Sequence, residues 1–329
     1  MKICAWNVRG CNSPLKLKEV SDFFQGNHID VLGILEIRIR RKKASKIIRA
    51  NFRCLSVFYN YDVHTNGRIW IVWNTRTVSV LPLFIHAQFI HCKLTHHDTN
   101  ISCFSTFVYG SNDPTVRLGL WDALCSLVPS VQDWVVLGDF NVIRDVSERV
   151  SSVLPNLDDI LAFNSCILSC GLVDLRGTGC EYTWTNNQDG SDRVWSKLDR
   201  ALVNGGWLDH FPSSNVNFLT SGISDHSPSL VTIFPNQPCL QRFSFLNCWI
   251  DIPGYHSLIQ EAWDIPIAGS AMYKLLSKLK NTREALCSFH RHNTSGFLTR
   301  LARAKATLDD SFLALQSSPM CSSLLLTHK

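Results

Sequence analysis

Short apolar runs alternate with amphipathic helical patterns over the first 234 residues of this 329-residue chain. Apolar runs of strand length, which predict buried strands, occur at KICAWNV, IDVLGILE, CLSVFYNY, GRIWIVWN, FIHCKLT, ISCFSTFVYG and WVVLGDF. Helical spacing of apolar positions occurs at PLKLKEVSDFFQG, ASKIIRANF, PTVRLGLWDALCSLV and NLDDILAFNSCILSCG. Five further short strands are predicted at VDL, EYTWTN, KLDRALV, NVNFLTS and SPSLVTIF.

The mixed order of these elements predicts an α/β (α+β) domain. Strands and helices in this arrangement favour two stacked, mixed β-sheets with helices on their outer faces. A doubly wound dinucleotide-binding fold is the rival architecture. It is disfavoured because no G-x-G-x-x-G follows a predicted strand.

A domain boundary is predicted at FPNQPCLQ, where two prolines interrupt the pattern. We therefore expect domains at 1–234 and 235–329. The second is a C-terminal α-helical extension, because YHSLIQEAW, MYKLLSKLKNTREALCSFHRH and FLTRLARAKATLDDSFLALQ have helical periodicity. Of the net charge of +5, residues 235–329 contribute ten Lys and Arg against six Asp and Glu. This basic balance suits an anionic partner.

The thirteen cysteines are scattered, odd in number and without a C-x-x-C pair. This usage predicts reduced, buried thiols rather than a disulfide framework or a zinc site. No signal-peptide segment opens the sequence and no apolar run has the length of a membrane span. We expect a nuclear or cytoplasmic protein that is neither secreted nor membrane-bound. The basic cluster RIRRKKASK at 38–46 is either a solvated first turn of a helix or a nuclear-import or phosphate-contacting patch.

Polar side chains stand at the ends of the apolar strands, far apart in sequence. They are Asn7, Glu36, Asp139, Asn141, Asp199, Asp225 and His226. Hard divalent cations take oxygen ligands, and a histidine can carry the remaining charge or proton. If these groups converge, they form a divalent-metal site for phosphoryl transfer, and hydrolysis of a phosphodiester is the leading interpretation.

The GDFN segment has two interpretations. Asp139 and Asn141 are two residues apart, so on a strand end they face the same side. Asp139 then orients or deprotonates a water and Asn141 holds a phosphate oxygen. Alternatively, the pair is an Asp-x-Asn turn that only bonds its own loop.

Structural alternatives exist for the other candidates as well. Glu36 is either a metal ligand or a surface residue paired with Arg38 or Arg40. Asp225 and His226 are either catalytic or a loop aspartate that caps a turn beside an exposed histidine. Tyr109 either donates a hydrogen bond from its hydroxyl to phosphate or is a core aromatic.

In chain order, WNVRG, LGILE, VYGSN, LGDFN, SKLDRALV and SDHSP resemble the endonuclease/exonuclease/phosphatase superfamily, which includes DNase I and the AP endonucleases. The segment from FNSCILSCGLVDL to SKLDRALVNGGW is similar to the endonuclease region of plant LINE-type non-LTR retrotransposons. This resemblance covers about residues 1–234 and continues weakly into the helical extension, which looks like the connector ahead of a reverse transcriptase. It implies a four-layer sandwich. A reverse transcriptase domain is not expected in this chain.

The resemblance also implies residue roles on the metal side of the site. Glu36 would bind the catalytic Mg²⁺, or Mn²⁺ as an alternative, with Asn7 beside it and Asp225 assisting. Arg9 stands where AP endonucleases carry an acidic residue. This departure disfavours abasic-site repair and a second metal, and it favours a phosphate contact.

The remaining roles concern the scissile phosphate. Asp139 would activate the attacking water, and Asn141 and Tyr109 would hold the phosphate. His226 would stabilise the pentacovalent phosphorus, with Asp199 orienting its ring.

Three functions follow from these expectations. The first is a Mg²⁺-dependent DNA endonuclease that nicks its substrate and leaves a 3′-hydroxyl for reverse transcription. The second is a catalytically inactive, nucleic-acid-binding retroelement remnant. The third is a phosphatase of the same fold acting on a small phosphoester.

Overall fold

A computed structural model describes residues 1–64, 67–188, 192–233 and 249–294. By its internal contacts the chain divides into two compact units, Met1–Cys239 and Leu240–Lys329.

The first unit contains the strands and most of the helices. The strands are β1 (Lys2–Asn7), β2 (Val31–Leu35), β3 (Ser56–Tyr59), β4 (Ile69–Trp73), β5 (Val78–Ile85), β6 (Phe89–His96), β7 (Ser102–Tyr109), β8 (Trp134–Asp139), β9 (Arg149–Val150), β10 (Val173–Asp174), β11 (Gly177–Gly179), β12 (Trp184–Thr185), β13 (Trp195–Ser196), β14 (Asp199–Val203), β15 (Asn215–Phe218) and β16 (Ser229–Thr232). Its α-helices are α1 (Pro14–Gly26), α2 (Arg41–Asn51), α3 (Pro114–Leu127), α4 (Leu157–Ser169) and α5 (Gly205–His210).

Two large mixed sheets carry the fold. The first has the strand order β11-β15-β16-β1-β2-β4-β3, and the second has the order β10-β14-β8-β7-β6-β5. In each sheet one central pair is parallel, β1 with β2 and β7 with β8. The carboxyl ends of parallel neighbouring strands lie at the same edge of a sheet. In each sheet, the polar residues at the ends of the parallel pair therefore lie at that edge.

Alternation along the strands explains the four layers. In β1, Ile3 and Ala5 belong to the core between the sheets, whereas Cys4 and Trp6 pack into the layer that includes α1 and α2. On the second sheet, Val135 faces the inter-sheet core and Val136 faces the layer with α3 and α4. Both faces of each central strand are therefore buried, which accounts for the continuous apolar runs. The predicted sandwich of two mixed sheets flanked by helices is confirmed.

Strand β5 was missed by the sequence analysis. It pairs with β6 at one end of the second sheet and contains Pro82, beside which the register shifts. Proline cannot donate to a sheet ladder, so a strand that contains it belongs at an edge or a bulge, and both conditions hold here. The helix α5 also lies outside the predicted elements. The segment HHDTN joins β6 to β7, which pair antiparallel.

The second unit contains α6 (Tyr255–Asp264) and α7 (Ala271–Thr294), at two of the three predicted helices of the extension. The third, FLTRLARAKATLDDSFLALQ, lies outside the described residues. Within the part of the chain that the structure describes, none of the helices combines the length and apolar character that a membrane crossing requires.

Candidate active site

A cavity of about 340 Å³ opens where the polar strand ends of the two sheets meet. Its walls are formed by Asn7, Arg9, Glu36, Arg38, Asn112, Asp139, Asn141, Arg149, Trp184, Leu198, Asp225 and His226. Seven of the nine residues proposed from the sequence are in this set. The other two, Tyr109 and Asp199, stand opposite Asp139 on the neighbouring strands β7 and β14.

Asp139 lies at the centre of the site and is fully buried. Its Oδ2 accepts a hydrogen bond of 2.8 Å from Asn7 Nδ2, which joins the two sheets across the cavity. Its Oδ1 accepts one of 2.9 Å from the backbone nitrogen of Asn141. The Asp-x-Asn turn therefore exists, but it is only part of the arrangement, because a third side chain 132 residues away shares the carboxylate.

His226 is held between two carboxylates. Its Nδ1 lies 2.9 Å from Asp199 Oδ2, and its Nε2 lies 3.7 Å from Asp139 Oδ2. The ring is 4% exposed, so the alternative of an exposed histidine beside a turn-capping aspartate is wrong. The backbone carbonyl of His226 accepts from Trp6 Nε1 at 3.0 Å, and its amide donates to Ser224 Oγ at 3.2 Å. Backbone and ring are thus both fixed.

Opposed effects set the proton affinities of this pair. Burial disfavours the imidazolium, but Asp199 and Asp139 overcome it and raise the pKa of His226 to about 9. Burial raises the pKa of Asp139 to about 7, and the charge of Asp199 adds to the effect while His226 opposes it. Each group is a cause of the shift in the other's pKa, so the two titrate as a coupled pair.

Two arginines lie over the carboxylates of Glu36 and Asp225 in the cavity wall. Arg38 is paired with Glu36 and Arg9 with Asp225, and each guanidinium side chain is 52% exposed. Arg38 is one of the two partners considered for Glu36 from the sequence. Glu36 is not a surface residue, however, since it is buried.

The backbone is strained at four positions in the cavity wall. Arg9, Glu36, Arg38 and Asn141 have φ between 46° and 53°. They are half of the eight non-glycine residues with positive φ in the described ranges. This left-handed region is costly for residues with a side chain and persists where surrounding structure fixes it, often at functional sites. The strain directs these four side chains into one space.

Tyr109 and Asn141 are both fixed by neighbours. The Tyr109 hydroxyl accepts a bond of 3.1 Å from Arg68 Nη1, and burial, reinforced by Glu36 and Asp139, raises its pKa above the ordinary value. Tyr109 thus keeps its proton. Asn141 Nδ2 donates to the carbonyl of Gly110 at 2.7 Å.

Other participants were not predicted from the sequence. Trp184 Nε1 donates to Asp225 Oδ2 at 3.0 Å, and this tryptophan sits in the short strand β12 within an ordinary Y-T-W-T run. Arg38, Arg40 and Arg68 line a second cavity of about 310 Å³, which adjoins the first at Arg38. Part of the 38–46 basic cluster therefore borders the site.

The donor set suits a hard divalent cation. Glu36 and Asp225 supply carboxylate oxygens and Asn7 an amide oxygen around one cavity, and Mg²⁺ needs only one or two protein carboxylates beside water. Asp139, Asp199 and His226 form a tighter group, with ligand atoms within 4.8 Å of one another. The Asp139, Asp199 and His226 group is held by buried partners, whereas Glu36 and Asp225 are paired with half-exposed arginines that a cation can replace, so these two carboxylates fit a cation better.

Comparison with known proteins agrees with this architecture. The Endonuclease/Exonuclease/phosphatase family matches residues 4–226, a span that runs from β1 to His226. The chain belongs to this family, whose members are hydrolases of phosphoester bonds.

Solved structures share the fold at low sequence identity. The 3′ phosphatase NExo from Neisseria, bound to a product DNA hairpin, has a TM-score of 0.52 at 18% identity and covers 71% of this chain and 99% of its own. The endonuclease domain of TRAS1, a telomere-specific non-LTR retrotransposon, has a TM-score of 0.53 at 14% identity, with 72% and 99% covered. The AP endonuclease LMAP from Leishmania major has a TM-score of 0.56 at 14% identity, with 71% and 88% covered. The superfamily expected from the sequence motifs is confirmed.

Proposed function

We propose that this protein is a Mg²⁺-dependent endonuclease of the LINE retrotransposon type that nicks DNA. The observation that carries the proposal is the buried Asp139–His226–Asp199 group, bonded to Asn7 across the two sheets beside the carboxylates of Glu36 and Asp225. Such a group supplies both a base and an acid within one cavity, and the chemistry of phosphodiester hydrolysis needs both.

Asp139 is the general base. Its pKa of about 7 lets it accept a proton from water near neutral pH, where an ordinary aspartate is too weak a base. The bonds from Asn7 and from the Asn141 amide fix both oxygens. An attacking water bonded to this carboxylate is therefore oriented before the reaction begins.

His226 is the cationic partner. With a pKa of about 9 it is protonated at neutral pH, so Nε2 can donate to a non-bridging phosphate oxygen as negative charge accumulates there. Asp199 accepts from Nδ1 and fixes the ring. Asn141 and the protonated hydroxyl of Tyr109 supply two further donors for the phosphate.

Glu36, with Asn7 and Asp225, would hold the divalent ion. When bound, Mg²⁺ supplies charge neutralisation for the phosphate and leaving oxygen. Arg38 and Arg9 neutralise the same carboxylates, and each is free to contact DNA phosphates once a cation takes its place.

DNA is the proposed substrate because the surroundings are basic. Arg9 and Arg38 flank the cavity, and Arg40 and Arg68 extend the basic surface beside it. Contacts of this kind bind the backbone and give salt-dependent affinity with weak sequence preference. The DNA-bound Neisseria structure and the TRAS1 domain support a nucleic-acid substrate by their shared fold. The helical extension, residues 235–329, is proposed as a separate domain that adds basic charge.

Nicking of supercoiled plasmid tests the proposal. Wild-type protein with Mg²⁺ should convert supercoiled to open-circular DNA, and EDTA should abolish the conversion. Asp139→Asn and His226→Ala should each lower the rate by at least about a hundredfold. Asp145→Asn is the matched control, since Asp145 lies six residues after Asp139 and is exposed.

The same assay separates the alternatives. Absence of nicking by a folded wild-type protein that still binds DNA would support the inactive remnant. Release of inorganic phosphate from small phosphoesters, without plasmid nicking, would support the phosphatase.

A further inference from the structure

Three cysteines from two helices converge on the outer side of the second sheet, apart from the catalytic cavity. Cys125 lies in the last turn of α3, Cys166 lies in α4, and Cys170 directly follows α4. Cys166 and Cys170 are four residues apart, so they lie on one face of the helix end. The packing of α3 against α4 brings Cys125 to them.

The sulfur atoms are close enough to share one ion. Cys125 Sγ lies 3.6 Å from Cys170 Sγ, Cys166 Sγ lies 4.0 Å from Cys170 Sγ, and all three sulfurs lie within 4.8 Å of one another. A zinc–sulfur bond is about 2.3 Å, so two sulfurs on one tetrahedral zinc are roughly 3.8 Å apart. The measured separations bracket that value.

The surroundings favour a thiolate site with one open position. Cys166 and Cys170 are buried, whereas Cys125 is partly exposed and gives solvent a path to the cluster. The hydrogen bond from the Cys166 thiol lowers the pKa of Cys170, whereas the same contact raises the pKa of Cys166 and burial raises the pKa of Cys125. The case for the site therefore rests on the positions of the three sulfurs. Within the described ranges, this group of candidate ligands consists of the three cysteines alone, so water is the natural fourth ligand.

We propose that Cys125, Cys166 and Cys170 bind one Zn²⁺ ion that links α3 to α4. Zn²⁺ replaces the three thiol protons and takes one water, so three protons are released and the centre carries a charge of −1. Three protein ligands plus water is an established zinc geometry, and thiolates are the ligand type that selects zinc over the hard ions of the catalytic cavity.

This inference revises the expectation from sequence that the cysteines form no zinc site. That expectation rested on the absence of C-x-x-C pairs, but the spacing here is C-x₃-C at a helix end. The third ligand is 41 residues earlier, on a different helix. The site depends on packing, which a local spacing rule does not detect.

Titration of the full-length, reduced, metal-free protein with Co²⁺, a coloured substitute for Zn²⁺, tests the proposal. The expected result is one equivalent of tightly bound Co²⁺ with thiolate-to-metal absorption bands that added Zn²⁺ bleaches. Cys170→Ser and Cys125→Ser should each lose these bands. Cys180→Ser should keep them, since this partly exposed cysteine contacts the Leu219 carbonyl at 3.6 Å outside the cluster.

Circular dichroism of each variant without metal establishes that it is folded, and Cys125→Ala provides a second variant if the serine is poorly tolerated. Proton release measured in two buffers by calorimetry should fall when a ligand is removed. The proposal is overturned if the reduced wild-type protein shows no thiolate bands. It is also overturned if Cys170→Ser retains them, or if mass spectrometry shows a Cys125–Cys170 disulfide that forms readily while metal is never taken up.

Discussion

Replacing Asp199 with Asn tests whether one buried carboxylate keeps His226 protonated. The rise of the His226 pKa from 6.5 to about 9 corresponds to roughly 3 kcal/mol of preferential stabilisation of the imidazolium. Asp199 bonds Nδ1 directly at 2.9 Å, whereas Asp139 lies 3.7 Å from Nε2. Removing the charge of Asp199 while burial remains should lower the pKa by about 1 to 3 pH units.

This change predicts a loss of activity that depends on pH. If the pKa falls to about 7, protonated His226 at pH 8 declines from about nine-tenths of the molecules to about one-tenth. Beyond any loss from misorientation of the ring, the nicking rate should fall about tenfold more at pH 8 than at pH 6.5. The sign follows from the direction of the change, because a histidine with a lowered pKa loses its proton earlier as pH rises.

Two measurements check the prediction. Nitrogen-detected NMR titration of the His226 ring gives its pKa in each variant, and plasmid nicking from pH 6 to pH 9 gives the rate. Asp133→Asn is the matched control, because Asp133 bonds the exposed ring of His210 at 2.6 Å away from the cavity. A His226 pKa that stays near 9 in Asp199→Asn, or a rate deficit that is constant across pH, would refute the assignment of Asp199.

Four further changes have defined outcomes. Gly138→Ala should lower the free energy of unfolding by at least about 2 kcal/mol, because φ is +136° and a Cβ would lie 2.2 Å from a backbone carbonyl of β7. Urea denaturation measures this free energy. Gly119→Ala, in open space on α3, should instead be stabilising by about 0.5–1 kcal/mol. Tyr109→Phe should reduce kcat about tenfold or more with an unchanged Tm. An unchanged kcat would show that the hydroxyl does not donate a hydrogen bond to the phosphate during the reaction. Glu36→Gln should weaken Mn²⁺ binding at least about tenfold, as measured by electron paramagnetic resonance without DNA. If the variant binds Mn²⁺ with the affinity of the wild-type protein, Glu36 is not a metal ligand.

The polar residues at the ends of the strands could be predicted from the sequence, because an apolar run that ends in a polar residue is a local pattern. Asn7 and Asp139 stand out in sequence at the ends of fully apolar runs, and the structure brings them within hydrogen-bonding distance. Their roles in catalysis remain predictions. The sandwich also followed from the order of elements, since strands buried on both faces require layers on both sides.

Other contacts join residues whose pairing cannot be predicted from a local sequence pattern. Arg38 pairs with Glu36, and both residues adopt a left-handed backbone conformation that side-chain-bearing residues rarely adopt. Arg200, inside a strand that was predicted correctly, is completely buried and paired with Glu148 and Asp174, 52 and 26 residues away. Only the three-dimensional packing identifies these partners.

The hydrogen bond between Asn7 and Asp139 and the position of His226 have a consequence for synthesis of the protein. Residues 7 and 226 lie 219 positions apart, yet their side chains approach within 3.4 Å. A ribosome must therefore release nearly the whole first unit before these side chains can come together. Chains that terminate before residue 226 lack His226, so they cannot form its contacts with Asn7 and Asp139. Long-range closure of this kind also makes folding slow relative to helical proteins of similar size.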